Sequence, residues 1–115
     1  MNYKIVTYPK FQKEFKRLAK KYPSLKSDFK KFCDDLLQNQ DSIGVNLGDG
    51  KRKIRMAIAS KGKGKSHGAR IITLDLLLSE TETEIGLHYI YDKGELESIS
   101  DKQIDEILSM NGVEV

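Results

Sequence analysis

The chain has one cysteine, two prolines, two histidines and no tryptophan in 115 residues, and each shortage closes off a class of protein. A lone thiol, Cys33, forms no internal disulfide, and one cysteine with two histidines does not supply the ligands of a structural zinc site. No apolar run approaches the roughly 20 residues that span a bilayer. The opening MNYKIVTYPK lacks the apolar stretch of a secretory signal. These absences predict a soluble cytoplasmic protein with no metal, no cofactor and no membrane partner. The length suits one domain, 1–115, with a modest core, and residues 111–115 are expected to fray as a tail. Cys33 falls on an apolar helical stripe, which predicts a buried structural thiol rather than a nucleophile.

What the chain has in quantity is charge, unevenly spread. Residues 1–31 carry ten Lys and Arg against Glu14 and Asp28, and Lys51 to Arg70 carry eight with no acid. From Ile71 onward eleven acids face only Lys93 and Lys102. The net charge of +3 therefore conceals a concentrated cationic segment of the kind that attracts phosphate or another polyanion.

The apolar pattern predicts the elements. Tyr3 to Tyr8 reads as a short strand closed by Pro9, which is tolerated in the first turn of a helix. Phe11, Phe15, Leu18, Ala19 and Tyr22 recur at helical spacing and stop at Pro23. Ser24 is a candidate cap for a second helix, with Leu25, Phe29, Phe32, Cys33, Leu36 and Leu37 on one side, so the two helices form a hairpin. Gly44, Gly48 and Gly50 then punctuate a loop. Strands are expected at 53–59, 69–78 and 85–93. In the first of these Ile54, Met56 and Ile58 face one way, and Lys53 and Arg55 the other. Ser98 or Ser100 caps a last short helix with the stripe Ile104, Ile107 and Leu108. The expected fold class is α+β: an antiparallel sheet with the N-terminal helical hairpin on the face bearing Ile54, Met56 and Ile58, and a short C-terminal helix.

Between the strands at 53–59 and 69–78 lies SKGKGKSHGARI, whose Gly64-Lys65-Ser66 matches the end of a phosphate-binding P-loop. That motif needs a glycine at position 59, where the chain has Ala59, and a helix immediately after it. Ile71, Ile72, Thr73 and Leu74 are strand-like instead. Dinucleotide or NTP binding through this loop is excluded. A cationic loop remains, joining strands whose ends carry Arg55 and Arg70.

Three triplets, Lys53-Ile54-Arg55, Gly68-Ala69-Arg70 and Tyr91-Asp92-Lys93, occur in that order within a chain whose elements follow the same sequence nearly throughout. In this the protein resembles the RelE/ParE superfamily of bacterial toxins, and within it the HigB-like branch. The family pattern has a further glycine where this chain has His67. The resemblance implies a RelE-like fold and the toxin of a type II toxin-antitoxin system. Such a toxin is a ribosome-dependent mRNA endoribonuclease held inactive by a cognate antitoxin protein, so the implied partners are that antitoxin, the ribosome and mRNA. The arginines of the first two triplets fall on Arg55 and Arg70, and the lysine of the third on Lys93.

Cleavage of RNA without a metal uses the substrate's 2′-hydroxyl, which attacks the adjacent phosphorus to give a 2′,3′-cyclic phosphate and a 5′-hydroxyl. The protein then has to orient the backbone, stabilise phosphoryl charge and manage two protons. Arg55 and Arg70 suit the charge because a guanidinium pairs with phosphate through two donors and keeps its proton. Lys93, with Lys53 or Lys65 as alternatives, is a base only if neighbouring cations lower its pKa. Tyr91 offers a ring on which a base can stack, and Tyr89 and His88 are expected to pack in the core. His67 has the most suitable pKa for proton transfer but sits in a loop. Lys61, Lys63 and Lys65 fit phosphate neutralisation, as do Lys13, Lys16, Arg17 and Lys20 of the first helix. Two alternatives stand beside the nuclease: a ParE-like toxin that inhibits gyrase without catalysis, and an inactive RNA- or antitoxin-binding module.

Overall fold

Alternation of charged and apolar residues along Lys51–Met56 divides that strand between two environments: Ile54 and Met56 are 3% exposed, whereas Arg55 lies open to solvent. The computed structural model describes residues 2–39, 43–62 and 64–114. In chain order the elements are β1 (Asn2–Thr7), α1 (Pro9–Lys21), α2 (Leu25–Asn39), β2 (Val45–Gly48), β3 (Lys51–Met56), β4 (Ala69–Leu77), β5 (Glu82–Asp92) and α3 (Asp101–Met110). Two short 3₁₀ turns, Ala59–Lys61 and Lys65–His67, lie between β3 and β4. The strands form one five-stranded sheet in the order β1-β5-β4-β3-β2.

The helical hairpin covers the face predicted for it. Phe11, Leu18, Leu25, Phe32 and Leu36 pack with Ile54, Met56, Ile58, Ile71, Ile85 and Leu87 in one buried cluster. Fully burying a side chain of this size contributes about 1.5–3 kcal/mol, so this layer holds the sheet rigid beneath whatever its other face carries. On that other face α3 sets Ile104, Ile107 and Leu108 against Ile72, Leu74 and Tyr91. Ser100 caps α3 reciprocally: its Oγ accepts from the Gln103 N–H at 3.1 Å, and the Gln103 Oε1 accepts from the Ser100 N–H at 2.9 Å.

The structure corrects four expectations. The sheet is mixed rather than antiparallel, because β1 runs parallel to β5, from Asn2 opposite Glu82 to Thr7 opposite Leu87. Parallel neighbours need a long crossover, and the chain between β1 and β5 supplies one. The segment read as a loop contains β2, which hairpins onto β3 through Asp49 and Gly50, with φ of 53° and 81°. Two successive positive φ angles make the turn type that matches strand twist. Of the tail expected to fray, Asn111 to Val113 are tied down, while Val115 lies outside the described residues: the Asn111 side chain accepts from the Lys10 N–H at 2.9 Å and donates to the His88 carbonyl at 3.1 Å. Gly112, with φ 90°, then closes the helix end so that the Val113 N–H reaches the Leu108 carbonyl at 2.9 Å. Cys33 is half-buried at the edge of the cluster rather than fully enclosed, and burial pushes its thiol pKa up to about 11.

Strand β5 carries an irregularity. Ile72 pairs with Tyr89 but Thr73 with Leu87, so His88 is an extra residue. The shift places Ile85 and Leu87 under the hairpin and Tyr89 and Tyr91 on the α3 side. His88 is wholly buried, stacked on Tyr8 with ring centroids 4.1 Å apart, and burial lowers its pKa to about 4.

Candidate functional site

Strand register brings three of the predicted residues into one row. Arg55 on β3 is the direct partner of Arg70 on β4, and Arg70 is the direct partner of Tyr91 on β5. Direct partners in antiparallel strands share a face with Cβ atoms about 4.5–5.5 Å apart, so Arg55, Arg70 and Tyr91 stand side by side on the face opposite the helical hairpin. The next row on that face is Lys53, Ile72 and Tyr89, and there Ile72 is covered by α3. In the arginine row Tyr91 also packs with the α3 cluster and Arg70 is nearly enclosed, so the row opens to solvent at Arg55.

The two arginines differ in setting. Arg55 is exposed. Arg70 is 5% exposed, and its guanidinium donates to the carbonyls of Lys65 at 3.1 Å, Ser66 at 3.1 Å and Ala69 at 3.3 Å. Burial first, and then the neighbouring Arg55 charge, lower the Arg70 pKa from its ordinary value. Among the described residues neither arginine forms an ion pair with a carboxylate. Two adjacent cations without a counter-ion make a locus that an anion would stabilise. Tyr91 is 4% exposed; burial raises its pKa while the Arg70 charge pulls it the other way, so its hydroxyl keeps its proton at neutral pH.

The loop between β3 and β4 is fitted onto this row. Gly68 is there because nothing larger fits: a Cβ at that position would collide with the Met56 carbonyl. Its own carbonyl accepts from the Lys93 N–H at 3.0 Å, which joins the loop to the end of β5. Lys65 and His67 are exposed, and Ser66 Oγ lies 2.9 Å from His67 Nδ1.

Other predicted residues are engaged elsewhere. The Lys93 ammonium donates to the Glu97 carbonyl at 2.6 Å, in the connection to α3. The Lys61 ammonium lies 2.7 Å from Asp92 Oδ1, on the hairpin side of the sheet. Lys63 lies outside the described residues. On α1, Arg17 is bound by Glu14 and Glu95, at 2.9 and 2.8 Å. A groove of about 400 Å³ runs between α2 and β3, where Lys31, Lys53, Arg55 and Lys65, together with the carboxylates Asp28 and Asp35, line a floor that includes Ile54 and Met56. Lys31 was not singled out in the sequence, and neither was Asp92. The signal for Asp92 was its place between Tyr91 and Lys93, since strand alternation turns it to the opposite face.

No protein-family model matches the chain, and no curated protein matches it.

Proposed function

We propose that the arginine row binds the phosphate backbone of RNA, and that the protein is a RelE/HigB-like toxin that cleaves mRNA on the ribosome under the control of an antitoxin. The observation that carries this reading is the cross-strand pair Arg55 and Arg70, two cations side by side with no carboxylate partner among the described residues. The resemblance of the three triplets supplies the reaction type. In that reaction the 2′-hydroxyl gives up its proton to water as its oxygen bonds to phosphorus, the bond to the 5′-oxygen breaks, and the leaving oxygen takes up a proton from water. Arg70, held by three backbone carbonyls, and Arg55 would stabilise charge on the phosphoryl oxygens. Tyr91, neutral and next to Arg70, would donate its hydroxyl to the phosphate; its ring is packed in the α3 cluster, which leaves no face for the base stacking expected from the sequence. Lys53 and Lys65 would hold flanking phosphates.

The test is cleavage mapping in a translating extract with the parent and Arg70→Ala. The expected result is cuts bearing 2′,3′-cyclic phosphate ends, dependent on ribosomes, and lost by about a hundredfold or more in the variant, as for removal of one preorganised charge-stabilising donor. Cuts that persist without ribosomes, or in Arg70→Ala at parental rate, would overturn the assignment. One observation favours a second reading. The Lys93 ammonium is already engaged by the Glu97 carbonyl, as suits a face that binds RNA or an antitoxin without cutting, and RNA binding with no cleavage would select it.

A further inference from the structure

Asp92 lies between Tyr91 and Lys93 yet serves the other side of the sheet. It is 1% exposed, and its carboxylate accepts from the Lys61 ammonium at 2.7 Å, the Gly94 N–H at 2.9 Å and the Tyr22 hydroxyl. These donors hold its pKa below the ordinary value against the opposing effect of burial. A buried carboxylate costs several kcal/mol unless it is paired and hydrogen-bonded in this way.

The pairing fixes the near end of the loop between β3 and β4. Lys61 ends the turn Ala59–Lys61. That turn is also held at the start of α2, where the Ala59 N–H donates to Asp28 Oδ2 at 3.1 Å and the Ser60 N–H to Ser24 Oγ at 2.8 Å. The far end, Lys65 and Ser66, supplies two of the three carbonyls that orient the Arg70 guanidinium. Between the two ends Gly62 and Gly64 adopt φ of 66° and 72°, with open space where a Cβ would stand.

We propose that Asp92 is a positioning residue: through Lys61 it fixes the loop whose Lys65 and Ser66 carbonyls aim Arg70 at phosphate. This rests on the RNA-cleaving function proposed above. Arg70 needs such a support because Arg55, its direct cross-strand partner, carries the same charge. A merely structural ion pair would stabilise the fold without bearing on Arg70.

Lys61→Met and Lys61→Arg, each with ¹⁵N-labelled arginine, separate the two roles. In Lys61→Met the Arg70 Nε–H signal is expected to lose its order on the nanosecond scale, while Arg52, bound to Asp75 at 3.0 Å, keeps its own. Cleavage in the translating extract is expected to fall tenfold or more, on the order of the loss from small misplacement of a reacting group. Lys61→Arg is expected to restore both. In the Arg70→Ala background Lys61→Met should add no further loss, because both changes act on one group. An Arg70 signal unchanged in Lys61→Met, or losses that multiply in the double variant, would overturn the proposal. A parent that cleaves no RNA would overturn the function instead, and the NMR comparison would still decide whether Lys61 orients Arg70.

Discussion

Arg55 and Arg70 are direct cross-strand partners that carry the same charge and share no carboxylate among the described residues. Like charges placed opposite each other in a sheet are destabilising, by a fraction of a kcal/mol to about 1 kcal/mol. Arg55→Gln is therefore expected to raise stability by about 0.2–1 kcal/mol in urea melts at low salt while weakening RNA binding. Added salt should narrow the stability difference by screening the pair. A variant less stable than the parent at low salt would show that Arg55 has a favourable partner and that the row is not a site of stored repulsion.

The lysines flanking that row, Lys53 and Lys65, add to the salt dependence of binding. Each phosphate neutralised on a single strand contributes about 0.7 to the slope of log K against log salt. Lys53→Ala and Lys65→Ala are each expected to reduce that slope by about 0.7, measured by titrating a labelled oligoribonucleotide. Arg17→Ala is expected to leave it unchanged, since Glu14 and Glu95 already hold that guanidinium. Equal effects from all three would mean that the binding surface extends over α1.

Much of this architecture was legible in the residues. The alternation at Ile54, Met56 and Ile58 assigned the helical hairpin to its face, and the spacing of Ile104, Ile107 and Leu108 marked the stripe of α3. Register was not legible, because it depends on which strand lies beside which. The parallel pairing of β1 with β5 and the extra residue at His88 both arise from tertiary packing. β2 was missed although Asp49-Gly50 is a hairpin-turn signal, because the surrounding glycines made the segment look like loop. At the site, residue type identified the cations but not their engagements. Nothing in the sequence distinguishes Lys61, held by the buried Asp92, from the exposed Lys65.

Gly68 controls how closely the loop approaches β3. A methyl group there meets the Met56 carbonyl and lies about 3.0 Å from Ala57 Cα, closer than side chains tolerate. Gly68→Ala is expected to cost about 1–3 kcal/mol, as for overpacking elsewhere. The loop must then lift, taking the Lys65 and Ser66 carbonyls away from Arg70. Loss of cleavage should accordingly exceed what the fraction unfolded explains, as measured by activity at a temperature where circular dichroism shows the variant folded. Parental activity under those conditions would mean that the carbonyls do not matter to Arg70.

His88 makes the fold sensitive to acid. Its Nδ1 lies 3.0 Å from Asn111 Nδ2, an amide nitrogen that can only donate, so the neutral ring accepts there and carries its proton on Nε2. The amide cannot turn over without losing the bond from the Lys10 N–H. Protonation would set two donors against each other in a wholly buried place, with Tyr8 stacked above and the Glu84 charge in partial compensation. The folded pKa of about 4 lies below the ordinary value near 6.5, so the unfolded chain takes up the proton first. Stability from this group is complete above about pH 6.5 and declines as pH falls toward 4, by roughly 3 kcal/mol in all. His88→Gln offers an oxygen to Asn111 without titrating, and its stability is expected to fall less between pH 7 and 4. The lowered pKa values of Asp92 and Glu95 act in both proteins, so the difference between the two urea-melt profiles isolates the histidine. Parallel profiles across that range would assign the acid sensitivity to the carboxylates alone.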